Sequence, residues 1–146
     1  MGSRGVGGDF LNIRRIAGFV YAGFTALVVG FQIGLALGAP WGSYAMGGAF
    51  PGQFPPALRM AAAIQAVILV VFAAAVLSRS GIAFPRLFRA SRWLAWIAVA
   101  FSAFSLLLNL ITPSAGERAI WAPVALVLLV SSLVVATAPR PPTTAT

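Results

Sequence analysis

Residues 18–38 read GFVYAGFTALVVGFQIGLALG, and the fold turns on how this stretch is read. It carries no charged side chain. At about 1.5 Å per helical residue it covers a hydrocarbon core of about 30 Å. Lipid offers no partner for a backbone amide, so such a run crosses a membrane as a helix. Every fourth residue is small: Gly18, Ala22, Ala26, Gly30, Gly34 and Gly38. Acyl chains are as apolar as leucine, so helices in lipid associate where small residues let backbones approach. The row therefore predicts a packing face, with Gly30 and Gly34 held against another helix. That helix is a neighbour in the same chain, or one in a homo-oligomer or larger membrane complex.

Three more runs have the same character. The spans are expected at about 13–38, 56–78, 92–112 and 115–138. Pro56 suits a first helical position, where its missing N–H costs nothing. Pro113 ends the third run, because the residue before a proline disfavours helix. Ser114-Ala115-Gly116-Glu117 matches a capping box, in which serine accepts from the third residue's N–H and glutamate reaches back. Pro123 should kink the fourth helix. The expected fold is all-α: a four-helix transmembrane domain over residues 13–138. A flexible glycine-rich segment (1–12) precedes it and a disordered tail (139–146) follows. A long loop, Ala39–Pro55, joins the first two helices. Its glycines and prolines suggest a folded lid.

Composition narrows the chemistry. Of 146 residues, 60% are hydrophobic and 8% charged, against about a quarter charged in soluble domains. There is no cysteine or histidine, so thiolate nucleophiles, histidine bases and the usual transition-metal sites are excluded. The acids are Asp9 and Glu117 alone. No cofactor, metal or catalytic residue is assigned, and the chain reads as a non-enzyme. All ten basic residues are arginine. Eight of them (Arg4, Arg14, Arg15, Arg79, Arg86, Arg89, Arg92, Arg140) fall on the side of the termini, and two (Arg59, Arg118) on the other. By the positive-inside rule both termini are cytoplasmic, in a multi-pass protein of the bacterial cytoplasmic (inner) membrane. The positive charge then meets anionic lipid headgroups rather than nucleic acid. Arg86, Arg89 and Arg92 suit a short helix lying on that surface.

The polar residues concentrate toward the opposite, outer side. Counting along the helices puts Gln32, Gln65, Arg59, Asn109 and Glu117 within about three turns of the outer interface, beneath the loop that carries Trp41 and Tyr44. With Arg118 these form a candidate ligand-binding cluster. Intramembrane polar groups mark functional sites, although amides that pair between helices also serve as glue worth about 0.6–2 kcal/mol. Arg59 is expected to meet Glu117 or a loop carbonyl. The functional expectation is a small accessory, assembly or ligand-binding membrane component acting through its outer loops. The alternative is a passive transporter or channel for a small solute; no mid-span carboxylate supports proton coupling.

The pattern Gly38-Ala39-Pro40-Trp41-Gly42, Gly47-Gly48, Pro51-Gly52, Arg59, Asn109–Ser114, Glu117-Arg118 and Trp121-Ala122-Pro123 resembles uncharacterised small four-helix integral membrane proteins of high-GC bacteria. Theirs is a domain of unknown function, so the resemblance implies a topology and no activity.

Overall fold

The computed structural model describes residues 3–138, with side chains from residue 8 onward. The tail expected at 139–146 lies outside the described residues, as do residues 1 and 2. Among the described residues the regular structure is all helical: α1 (Ser3–Leu37), α2 (Pro56–Arg79), α3 (Phe88–Ile111) and α4 (Ala115–Thr137). Single 3₁₀ turns sit at Gly42–Tyr44, Met46–Gly48 and Pro85–Leu87. All four long helices are long and apolar enough to cross a membrane.

Two boundaries differ from expectation. The segment expected to be flexible is helical from Ser3; glycine lowers helix propensity by about 1 kcal/mol per residue, and here that does not stop α1. α3 begins at Phe88, directly after the Pro85–Leu87 turn. The arginines expected on a separate surface helix therefore divide between that turn and the first turns of α3. α4 remains one helix through Pro123.

α1 packs beside α2 and α4, and α3 closes the ring against the same two helices. The half of the bundle nearer the termini is filled by Tyr21, Leu69, Phe72, Val76, Ala98, Leu128 and Val135. The buried positions repeat at alternating steps of three and four: Ser91, Ala95, Ala98 and Ser102 on α3; Ala62, Ala66 and Leu69 on α2. An average step of 3.5 residues keeps a seam facing its neighbour at a shallow crossing angle.

The same arithmetic limits the glycine row as a packing face within the chain. Four residues advance about 40° beyond one full turn at 3.6 residues per turn, so five such steps wind more than halfway around the helix. Gly18 is buried against Ser80 and Ile82, and Gly34 lies under the Trp41 ring. Ala26 and Gly30 face outward, and a Cβ at Gly30 meets nothing within 4 Å. The face that α1 turns inward is Arg14, Gly18, Tyr21, Thr25, Val28, Gln32 and Leu35, in steps of four and three.

At the end of α1, Gly38 adopts φ +95°, a conformation that favours glycine. The Ala39 N–H then donates to the Gly34 carbonyl at 2.9 Å, and the Gly38 N–H to that of Leu35 at 3.1 Å. These are the two bonds of a Schellman cap. Gly81, at φ +72°, closes α2 in the same way through Ile82 and Ser78.

Candidate functional site

The loop between α1 and α2 folds back over the bundle and is fastened to α4. The Trp121 indole N–H donates to the Tyr44 carbonyl at 2.8 Å. The Ser114 hydroxyl donates to the Ser43 carbonyl at 3.1 Å. The Gly47 N–H donates to Glu117 Oε2 at 2.7 Å. Rings add to these bonds: Phe31 stacks on Trp41 with centroids 5.8 Å apart and packs against Trp121 at 4.6 Å. Within the loop the Gly42 N–H donates to the Gly52 carbonyl, and a Cβ at Gly42 would collide with the Phe50 carbonyl oxygen.

The start of α4 departs from a full capping box. Ser114 Oγ accepts from the Glu117 N–H at 3.2 Å, as the pattern requires. The Glu117 carboxylate does not turn back; its Oε2 accepts from Gly47 in the loop and from the Thr112 hydroxyl at 3.0 Å. The Ser114 N–H uses Thr112 Oγ1 instead, at 3.4 Å. One carboxylate thus joins the α3–α4 turn to the loop.

Below this strap lies a cavity of about 690 Å³. Gln32 and Leu35 reach it from α1, Gln65 and Leu69 from α2, Ser105 and Asn109 from α3, and Glu117 and Trp121 from α4. Tyr44, Met46 and Gly47 of the loop cover it. Its floor is Tyr21, Leu69 and Leu128. Tyr21 is 1% exposed, and its phenol sits beside the hydroxyls of Ser102 and Thr25. Glu117 is the single charged residue in the lining.

Of the eight candidate residues, the cavity brings together Gln32, Tyr44, Gln65, Asn109 and Glu117. Three stand apart from it. Trp41 occupies the space above Gly34. Arg118 is exposed. Arg59 donates from Nε to the Ala36 carbonyl at 2.8 Å, completing the cap of α1. Its charge rests at the negative end of that helix's dipole, and among the described residues no ion pair joins it to Glu117. The amides do not pair across helices either. Asn109 Nδ2 donates back to Ser105 of its own helix at 2.8 Å, and among the described residues the side chains of Gln32 and Gln65 make no hydrogen bond.

Counting polar types by depth overlooked Tyr21, Ser102, Ser105 and Thr112. The signal was present in the placement of Tyr21, Thr25 and Ser102 on the seam positions of α1 and α3. Among the described residues no group of three metal-ligating side chains occurs. The cavity therefore offers hydrogen-bonding amides and hydroxyls on largely apolar walls, with one carboxylate at its mouth. No family model, curated protein or solved structure matches the chain.

Proposed function

We propose that the protein is a non-enzymatic, ligand-binding component of the bacterial cytoplasmic membrane, with both termini in the cytoplasm and its cavity on the outer side. The arginine distribution supports this orientation, and the resemblance to small membrane proteins of high-GC bacteria supports the setting. The observation that carries the binding role is that Gln32 and Gln65, on different helices, face one cavity without an internal partner. An amide inside a membrane that stays unpaired is costly, and one held for helix association would be bonded across the helices. A ligand of moderate size with polar groups answers both demands.

Passive transport is the second reading. The apolar packing of Tyr21, Leu69, Phe72, Val76 and Leu128 beneath the cavity speaks against a continuous path, whereas a binding recess needs only one opening.

The test is to extract small molecules from the purified protein and identify them by mass spectrometry, for the wild type and for a Gln32→Leu, Gln65→Leu double variant. The wild type should retain a compound that the folded double variant loses. Equal retention by the variant, or a wild type that carries only a stoichiometric protein partner, refutes the binding role.

A further inference from the structure

Besides Tyr44 and Met46 of the covering loop, which are exposed, the exposed residues of the cavity wall are unevenly distributed among the helices. On α1 and α4 every lining residue is buried or half-buried. On α3 the lining includes Phe104 (59% exposed), Leu108 (46%) and Ile111 (67%), and on α2 the exposed Ala61. These apolar side chains belong at once to the cavity and to the outer surface of two spanning helices. At the opposite end the connector between α2 and α3 is tied back: Ser78 Oγ donates to the Phe84 carbonyl of the connector at 2.9 Å, and the Arg79 guanidinium lies 5.6 Å from the ring centroid of Phe88, the first residue of α3.

Resting on the binding role proposed above, we infer that the cavity opens sideways into the bilayer between α2 and α3, and that its ligand is an uncharged amphiphile: one hydrocarbon chain with a hydroxyl- or amide-bearing head. The wall chemistry selects this class. From the loop ends of the helices, Gln32, Gln65 and Ser105 lie about 8–14 Å deep, and Leu69 and Leu128 about 20 Å, at about 1.5 Å per residue. Amides and Ser105 therefore occupy the upper part, and the deeper end receives a chain against Leu69 and Leu128, where the Tyr21 phenol is turned to Ser102 and Thr25. The only charge in the lining is the Glu117 carboxylate, which repels an anionic head and accepts from a hydroxyl or amide donor. A side opening bounded by Ala61, Phe104 and Leu108 lets such a molecule enter without taking its chain through water, which costs about 0.8 kcal/mol per CH₂ exposed.

The test uses full-length protein in nanodiscs with Trp41, Trp93 and Trp96 replaced by phenylalanine, so that Trp121 in the cavity wall is the one remaining indole. A monoacylglycerol brominated in the upper part of its chain should quench Trp121. Ala61→Phe, which narrows the gap, should abolish most of that quenching. Ala63→Phe, on the exposed face of α2 and outside the lining, should leave it intact. Phe104→Ala, which widens the gap, should increase it and serves if Ala61→Phe does not fold. Equal quenching in all variants overturns the side opening. Quenching by aqueous acrylamide with none by the brominated lipid also overturns it, and leaves the binding recess standing with a different entrance. Protection from both quenchers overturns the opening and the recess together.

Discussion

Replacing Glu117 by alanine should loosen the loop at Gly47. Its Oε2 accepts two hydrogen bonds, from the Gly47 N–H at 2.7 Å and the Thr112 hydroxyl at 3.0 Å. Hydrogen bonds to a charged group contribute about 1.5–3 kcal/mol each. Both lie in a partly buried setting at the mouth of the cavity, but only the Gly47 bond ties the loop, so about 1.5–3 kcal/mol of the loop's fastening is at stake. Glu117→Gln keeps an acceptor oxygen and loses the charge assistance, which is roughly half of such a bond. The loss should appear at one amide first. A weakening of about 1.5–3 kcal/mol multiplies the opening equilibrium by roughly 10 to 160, so hydrogen exchange at Gly47 should accelerate by that factor in Glu117→Ala and by an intermediate factor in Glu117→Gln. Exchange within amides of α2 far from the loop should hardly change. If Gly47 exchanges at nearly the wild-type rate in Glu117→Ala, the carboxylate does not hold the loop and the reasoning fails.

Two further outcomes follow from the fold. Gly34→Leu should lower thermal stability by displacing Trp41 from Phe31, whereas Gly30→Leu should leave the isolated chain as stable as the wild type; a destabilised monomeric Gly30→Leu would return the glycine row to the chain's own packing. Single cysteines at Ser43 or Ser114 should react with an impermeant thiol reagent on intact cells and one at the exposed Ala90 should not; the reverse pattern would invert the orientation argued from arginine.

The four helices were legible because hydropathy in lipid is a direct energetic statement, and Pro56 and Pro113 mark their boundaries. The cavity was legible in part. Depth along a helix places Gln32, Gln65, Asn109 and Glu117 at one end, and depth is all that counting residues measures. It does not say which way a side chain turns. Arg59 shares their level and turns to the carbonyl of Ala36, because the cap of α1 leaves that carbonyl within its reach. As a guide to packing within the chain, row-reading is limited by pitch: steps of four drift around a 3.6-residue helix, and Gly30 ends on the outside. The use of Glu117 was partly visible. Ser114 and Glu117 have the spacing of a capping box, but the carboxylate's diversion to Gly47, 70 residues earlier in the chain, depends on how two hairpins meet.

That diversion also sets an order of events during synthesis. Gly47, Ser43 and Tyr44 emerge from the ribosome with the first hairpin, while the groups that fasten them, Glu117, Ser114 and Trp121, lie 70, 71 and 77 residues downstream. Contacts so distant in sequence form late, after the chain between them is in place. The first hairpin must therefore enter the membrane with its loop unfastened, and its cover is complete only when the last helix arrives. A chain halted after α3 would hold three inserted helices beneath an open mouth, so closure of the loop reports that translation has passed residue 121.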